Sequence, residues 1–403
     1  MIRISKTKFS MLNDTYVTLI TIDDQLDTLS TMYFMNKISN GTPLNTISTD
    51  ASVIKLFYEF CLKNKIDFHK NFAGMIHLKP NEINSLVEYM RYRKDNDDIV
   101  TAGTFKSRIS IIRNYITSIW NFYFQRINDV SSNELAIHNF KKMEIAFEEY
   151  AKSRHKKSTK DKKGLEPNLK HKFLDIISPL EDNELNPWKN NLVKWRNYCL
   201  FLTMILGGNR KGESMNLKLK DFYLTGPETT QKYFEFEAID TINEKYGRKV
   251  KPAFKTKGRR VVISNELAKI FEYYITKIRP QFKNSKKNDY VFLSLRDGLP
   301  ISINTPNEAL KILISKYPEY ENKLSPHILR NTFADSMHDV LSNKLSSENN
   351  LMKQNKINTA LEYSFGWSKG SDMVNKYPIG SIERRVAEMT VSLHDNYLLK
   401  DKE

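Results

Sequence analysis

Apolar positions recur every three to four residues through TFKSRISIIRNYITSIWNFYF, 104–124, where Phe105, Ile109, Ile112, Ile116, Ile119 and Tyr123 form one stripe. That period predicts a long amphipathic helix with its stripe in a core. The stretch 50–64, DASVIKLFYEFCLKN, shows the same period through Val53, Phe57, Phe60 and Cys61, with Asp50 placed to cap it. A third helix is predicted over 83–94. DTYVTLITI, 14–22, alternates instead and predicts a short strand. The first 150 residues thus read as a small helical bundle.

The pattern then breaks. From Lys152 to Lys163 there are seven Lys or Arg and one Asp with no apolar period, and Gly164 and Pro167 end the run. This is the composition of a linker, 151–167. Beyond it, NLVKWRNYCLFLTMIL, 191–206, predicts a buried helix, and GGNRKGESM turns the chain into another helical segment. YFEFEAI, 233–239, alternates as a half-buried strand. KVKPAFKT, 249–256, and RRVVIS, 259–264, read as strands joined by a tight Lys-Gly turn. Helices are predicted at 265–279 and 305–317. In SPHILRNTF, 325–333, Ser325 caps a helix with Pro326 at its first position. Helices continue to about residue 400. The last, 382–399, is amphipathic and suited either to a neighbouring subunit or to its own domain. The predicted fold is mainly α: a helical N-terminal domain, 1–150, the basic linker, and an α-rich domain, 168–403, with one small antiparallel β-sheet.

Charge narrows the partner. The 63 Lys and Arg exceed the 47 Asp and Glu by 16, which points to a polyanion. No apolar run reaches the roughly 18 residues of a membrane span, and MIRISKTKFS does not read as a signal peptide. Nucleic acid is therefore the expected partner. Lys106, Arg108 and Arg113 lie off the apolar stripe of the 104–124 helix, and Lys156 and Lys157 lie in the linker. All five are candidates for contacts to a DNA backbone, where displaced counterions supply affinity. Cys61 and Cys199 sit in apolar patterns and suit the core of a protein in a reducing compartment. The histidines lack metal-ligand spacing, and no phosphate-cradling glycine loop occurs. No cofactor, neither metal nor nucleotide, is expected.

Four separated pieces carry the chemistry. They are Gly207-Gly208-Asn209-Arg210-Lys211-Gly212-Glu213; Lys255-Thr256-Lys257-Gly258-Arg259-Arg260; His327-Ile328-Leu329-Arg330; and Phe365-Gly366-Trp367-Ser368 followed by Val374-Asn375-Lys376-Tyr377. Each motif is common alone. Their order and intervals resemble the tyrosine recombinase (phage integrase) family: Arg-x-x-Glu after a glycine turn, a lysine in a β-hairpin, His-x-x-Arg, Gly-Trp or Gly-His, then a tyrosine. The resemblance covers roughly 165–395, and the N-terminal bundle is similar to the family's core-binding domain. Two departures stand out. Gly-Gly-Asn replaces the usual Thr-Gly-Leu before Arg210, and the step from Trp367 to Tyr377 is one residue longer than usual.

Attack on a DNA phosphodiester builds negative charge on the non-bridging oxygens, so fixed donors aimed there lower the barrier, each by about 2.7–4 kcal/mol by analogy with oxyanion donors. Arginine suits this task because it is planar, always charged and bidentate toward phosphate. The resemblance implies that Arg210 and Arg330 form this clamp and that Tyr377 is the nucleophile, giving a 3′-phosphotyrosyl bond and a free 5′-hydroxyl without ATP. It further implies that His327 is the proton acceptor, that Trp367 donates to a phosphate oxygen, and that Lys255, with Lys257 as the alternative, is the general acid. Glu213 would orient its neighbours. Lys257 and Arg259 would add DNA contacts from the hairpin. The implied activity is site-specific recombination between paired double-stranded DNA sites, by a chain that is monomeric free and tetrameric on DNA, in the cytoplasm at the nucleoid. The alternatives are a type IB topoisomerase and a catalytically inactive DNA-binding relative.

Overall fold

The computed structural model describes residues 1–9, 15–93, 98–125, 130–152, 163–236, 258–378, 380–382 and 384. Contacts divide the chain into two units, Met1–Lys160 and Asp161–Glu403, a division that falls inside the 151–167 segment.

In the first unit, a hairpin comes before the helices. β1 (Ile2–Phe9) pairs antiparallel with β2 (Thr15–Ile22), and β2 with β3 (Gln25–Leu26). The alternation at 14–22 predicts β2; its partner β1 is an addition to the helical bundle read from the sequence. Six helices follow: α1 (Thr28–Ser39), α2 (Leu44–Lys63), α3 (Phe68–Ala73), α4 (Pro80–Arg91), α5 (Ala102–Phe124) and α6 (Val130–Lys152). The α5 stripe is core, with Phe105, Ile109, Ile112, Ile116 and Ile119 all buried. Asp50 does not cap a helix as expected. The helix starts earlier, after Pro43, and buried Asp50 pairs with Lys37 of α1 at 2.5 Å. A second buried polar group, Asp27, caps α1 through Ser30 N–H and accepts from Tyr58 Oη at 2.9 Å.

The second unit is helical around a main core. α7 (Pro167–Ile177), α8 (Asn191–Ile205), α10 (Asn265–Tyr273), α11 (Thr305–Lys316), α12 (Pro326–Lys344) and α13 (Asn350–Phe365) are its main helices, with short α9 (Lys211–Asn216) and α14 (Met373–Lys376). A smaller apolar cluster is formed by α12, α13 and the residues after them. The second half of α8, Cys199–Ile205, is buried all round, as its nearly continuous apolar run requires. The sheet comprises β4 (Phe222–Tyr223), β5 (Lys232–Phe236) and β6 (Arg259–Ile263) in that order, all antiparallel. β6 therefore pairs with β5; the expected strand 249–256 and the Lys-Gly turn before β6 lie largely outside the described residues. So do most of the linker and residues 385–399 of the C-terminal amphipathic segment. The described end of the linker runs extended across α12, with Leu165 N–H donating to Thr332 Oγ1 at 2.8 Å.

Candidate active site

The first arginine is delivered by a tight turn. α8 closes at Leu206, and Gly208 takes a left-handed conformation, φ +65°. It is also confined, since a Cβ there would lie 2.4 Å from the Phe333 ring. Only glycine meets both demands. The turn sets Arg210 immediately before α9. Arg210 N–H donates to Glu213 Oε2 at 2.9 Å, and its guanidinium donates to Oε1 at 3.2 Å. An Arg-x-x-Glu pair at a helix start is thus a reciprocal local arrangement: the carboxylate satisfies an unpaired N–H and aims the side chain above it.

Glu213 is fully buried and is the hub of the site. Arg259 of β6 donates to Glu213 Oε2 at 2.8 Å, and Arg330 of α12 lies 3.5 Å from the same oxygen. Three guanidiniums around one carboxylate give this set of four an excess of two positive charges. Arg330 is itself buried; two of its five N–H groups go to the carbonyls of Gly208 and Phe365. Burial first, and repulsion from Arg210 second, push the Arg330 guanidinium down to about 9. It stays charged at neutral pH.

α12 begins as its sequence predicts, with Ser325 accepting from Ile328 N–H and Pro326 at the first position. His327 and Arg330 follow one turn apart. The Arg330 guanidinium lies over the rings of Phe365, Tyr377 and Trp367, at 4.5, 5.4 and 5.8 Å. These aromatics form a small cluster in which Trp367 stacks on Phe365 at 4.6 Å and meets Tyr377 at 4.9 Å. Exposed His327 stands edge-on to Tyr377, ring centroids 5.2 Å apart. The Trp367 indole N–H is buried without a hydrogen-bond partner, and no hydrogen bond engages the Tyr377 hydroxyl among the described residues. A cationic clamp, an imidazole and a phenol thus share one neighbourhood, the equipment for nucleophilic attack on a phosphate diester.

Residues 180–340, which contain Arg210, Glu213, His327 and Arg330, match the Phage integrase family. That segment is similar to the phage integrase family. No curated protein matches the sequence. Among solved structures, this chain is similar to the XerH site-specific recombinase bound to difH substrate in a pre-cleavage complex, with 15% identity, 88% of this chain and 82% of that chain covered, and a TM-score of 0.50. A post-cleavage complex of XerH with palindromic difH substrate gives 16% identity, 88% and 85% coverage, and a TM-score of 0.48. At these identities the first likeness shows a shared fold.

Within this site, Arg259 is not placed as expected. Its hairpin position predicts a DNA contact, yet its side chain is 1% exposed. β6 alternates, with Arg259, Val261 and Ile263 inward and Arg260 and Val262 outward. Arg259 also donates to the Ser364 carbonyl at 2.9 Å and packs over the Phe236 ring. It fixes the hub rather than facing DNA. On α5, Arg108 donates to the carbonyls of Met90 and Tyr92, at 2.9 and 2.8 Å, closing the end of α4. Arg113 pairs with Glu144 at 2.7 Å and Glu148 at 3.4 Å on α6. Both cations are turned onto their own unit, while Lys106 is exposed. Lys156, Lys157, Lys255 and Lys257 lie outside the described residues.

The departure at Asn209 has a measurable cost. Its side chain is fully buried, and neither Oδ1 nor Nδ2 has a partner. A buried unsatisfied polar group costs about 1–3 kcal/mol. Asn209→Leu keeps the branched skeleton and removes both groups. The variant should melt several degrees higher, at about 2–4 °C per kcal/mol for a unit of this size. An unchanged or lower melting temperature would show that the pocket cannot accept the extra methyl volume.

Proposed function

We propose that this chain is a site-specific DNA recombinase that cleaves and rejoins strands through a 3′-phosphotyrosyl intermediate, with Tyr377 as nucleophile. One observation carries the reading. Arg330 shares Glu213 with Arg210 on one side and lies over the Tyr377 ring on the other, while His327 meets that same ring. A phosphate held by the two arginines sits beside the phenol.

The Tyr377 oxygen attacks phosphorus, and its proton passes to the His327 imidazole acting as general base. The bond from phosphorus to the 5′-oxygen breaks. The leaving oxygen takes a proton from the hairpin lysine, Lys255 or Lys257, and becomes a free 5′-hydroxyl. Arg210 and Arg330 stabilise the charge that grows on the non-bridging oxygens. A 5′-hydroxyl from a second strand then attacks the phosphotyrosine, which restores a diester and frees the phenol. The covalent link conserves the bond energy, so strand exchange in this scheme asks for neither ATP nor metal. Trp367 walls the phosphate pocket beside Tyr377. The partner is duplex DNA carrying paired sites, on which the chain assembles as a tetramer, at the nucleoid. Lys106 and the linker lysines are candidates for backbone contacts from the N-terminal side.

Trapping tests this reading. Nicked duplexes bearing candidate sites release a short fragment on cleavage, so the covalent complex cannot revert. The full chain should give a protein–DNA adduct on a denaturing gel, with a free 5′-hydroxyl and the DNA mapped by mass spectrometry to the peptide containing Tyr377. Tight, specific binding of those duplexes with no adduct would leave a DNA-binding protein instead.

A further inference from the structure

Below the clamp, α12 carries a second polar set that no step above uses. Thr332, Asp335 and Asp339 lie on one side of the helix at i, i+3 and i+7. Asp335 is 2% exposed, and its carboxylate accepts two backbone N–H groups from opposite ends of the unit. Gly164 N–H donates to Oδ2 at 3.0 Å, and Ser381 N–H donates to Oδ1 at 3.0 Å. The first donor lies in the segment that leads into the catalytic unit. The second lies four residues after Tyr377.

Both approaches are close enough to demand glycine. A Cβ on Gly164 would lie 2.6 Å from Asp335 Oδ2 and 2.6 Å from Thr332 Cα. A Cβ on Gly380 would lie 2.6 Å from the same Oδ2. The segment after Tyr377 is held further by Ser381, whose hydroxyl meets His338 Nδ1 at 2.7 Å and donates to Asp339, and by Arg384, which pairs with Asp339 at 2.7 Å. Arg384 also reaches Glu166, at 3.8 Å, in the incoming segment. The two segments therefore meet on α12 through two independent bridges. Burial raises the Asp335 carboxyl to about 6 despite both donors. A carboxylate this costly to bury marks the tie as specific rather than incidental.

We propose that Asp335 is a positioning residue for the nucleophile: its single carboxylate fastens the incoming segment and the segment after Tyr377 to the helix that carries Arg330. The tyrosine then stays in register with the arginine clamp only while both ties are made. The inference rests on Tyr377 being the nucleophile.

Single-turnover adduct formation and DNA affinity, measured side by side on the trapping duplex, separate positioning from folding. Gly380→Ala disturbs the tie from Ser381, Gly164→Ala the tie from Gly164, and Asp335→Asn leaves at most one of the two, because an amide accepts through only one of its two positions. A displacement of about 1 Å costs up to roughly a hundredfold in rate, so each variant should form adduct about tenfold or more slowly, with affinity within about twofold of wild type. Wild-type rates in Asp335→Asn and Gly380→Ala would overturn the proposal. So would a fall in affinity that matches the fall in rate. A wild-type rate in Gly164→Ala alone would remove the tie to the incoming segment. Should Asp335→Asn fail to fold, the two alanine variants decide. A wild-type chain that yields no adduct sinks the nucleophile assignment first, and this inference with it.

Discussion

Tyr377→Phe should bind the recombination site as the wild type does and yield no covalent adduct. The substitution removes one oxygen and keeps the ring. It is the ring that packs, against Trp367, Phe365, His327 and the Arg330 guanidinium. No hydrogen bond to the hydroxyl is lost among the described residues, so the melting temperature should move by less than about 2 °C, the effect of surface substitutions within about 0.5 kcal/mol. Loss of chemistry without loss of structure or affinity would leave the phenol oxygen as the missing part. The control is Tyr363→Phe. Tyr363 is the nearest tyrosine in sequence, yet its side chain stands 63% exposed on α13. That variant should form adduct at the wild-type rate. An adduct from Tyr377→Phe would transfer the role to another tyrosine.

The parts of this site that could be read from the chain are local ones. Arg210 and Glu213, or His327 and Arg330, sit three apart at helix starts, where spacing alone places them on one face. Proximity between these pairs is not local; it was supplied by resemblance and is seen only in the fold. Arg259 was legible but misread. The alternation of RRVVI carries it inward with Val261 and Ile263; its charge argues for exposure, and the buried Glu213 carboxylate overrides that. Asp335 had no such signal. Its partner Gly164 is 171 residues away, and nothing around it in the sequence marks a carboxylate shared by two backbone donors.

Elsewhere the pattern was blurred. α6 buries Ala136, Met143, Ala146 and Phe147 but leaves Leu135, Ile137 and Ile145 exposed. Small residues inside and large apolar ones outside erase the period on which a helix reading depends. In β1 the alternation of Ile2 and Ile4 lapses at Lys6, so only the pairing with β2 identifies the strand. Asp50 fits a cap by composition, and the helix overrides it by starting after Pro43 because Lys37 of another helix can neutralise the buried carboxylate.

Arg330→Lys should slow adduct formation by about a hundred- to a thousandfold, the usual cost of removing one aimed donor from a site that stabilises developing charge. The positive charge survives, so long-range attraction for DNA should persist and affinity should stay within a few fold. What is lost is geometry. The planar fork reaches the Gly208 and Phe365 carbonyls while lying beside Glu213 and over the Tyr377 ring. An ammonium is a single point on a flexible stem and cannot hold these positions together. Arg330→Ala separates the two roles. Removing one partner from a buried ionic set typically costs about 3–5 kcal/mol, so alanine should lower the melting temperature well below that of the lysine variant. If lysine cleaved at the wild-type rate, charge alone would account for the clamp and the fork would be structural. If alanine and lysine lost cleavage and stability in equal measure, Arg330 would be holding the fold of the site and the phosphate would have to be gripped by Arg210 and the hairpin lysine instead.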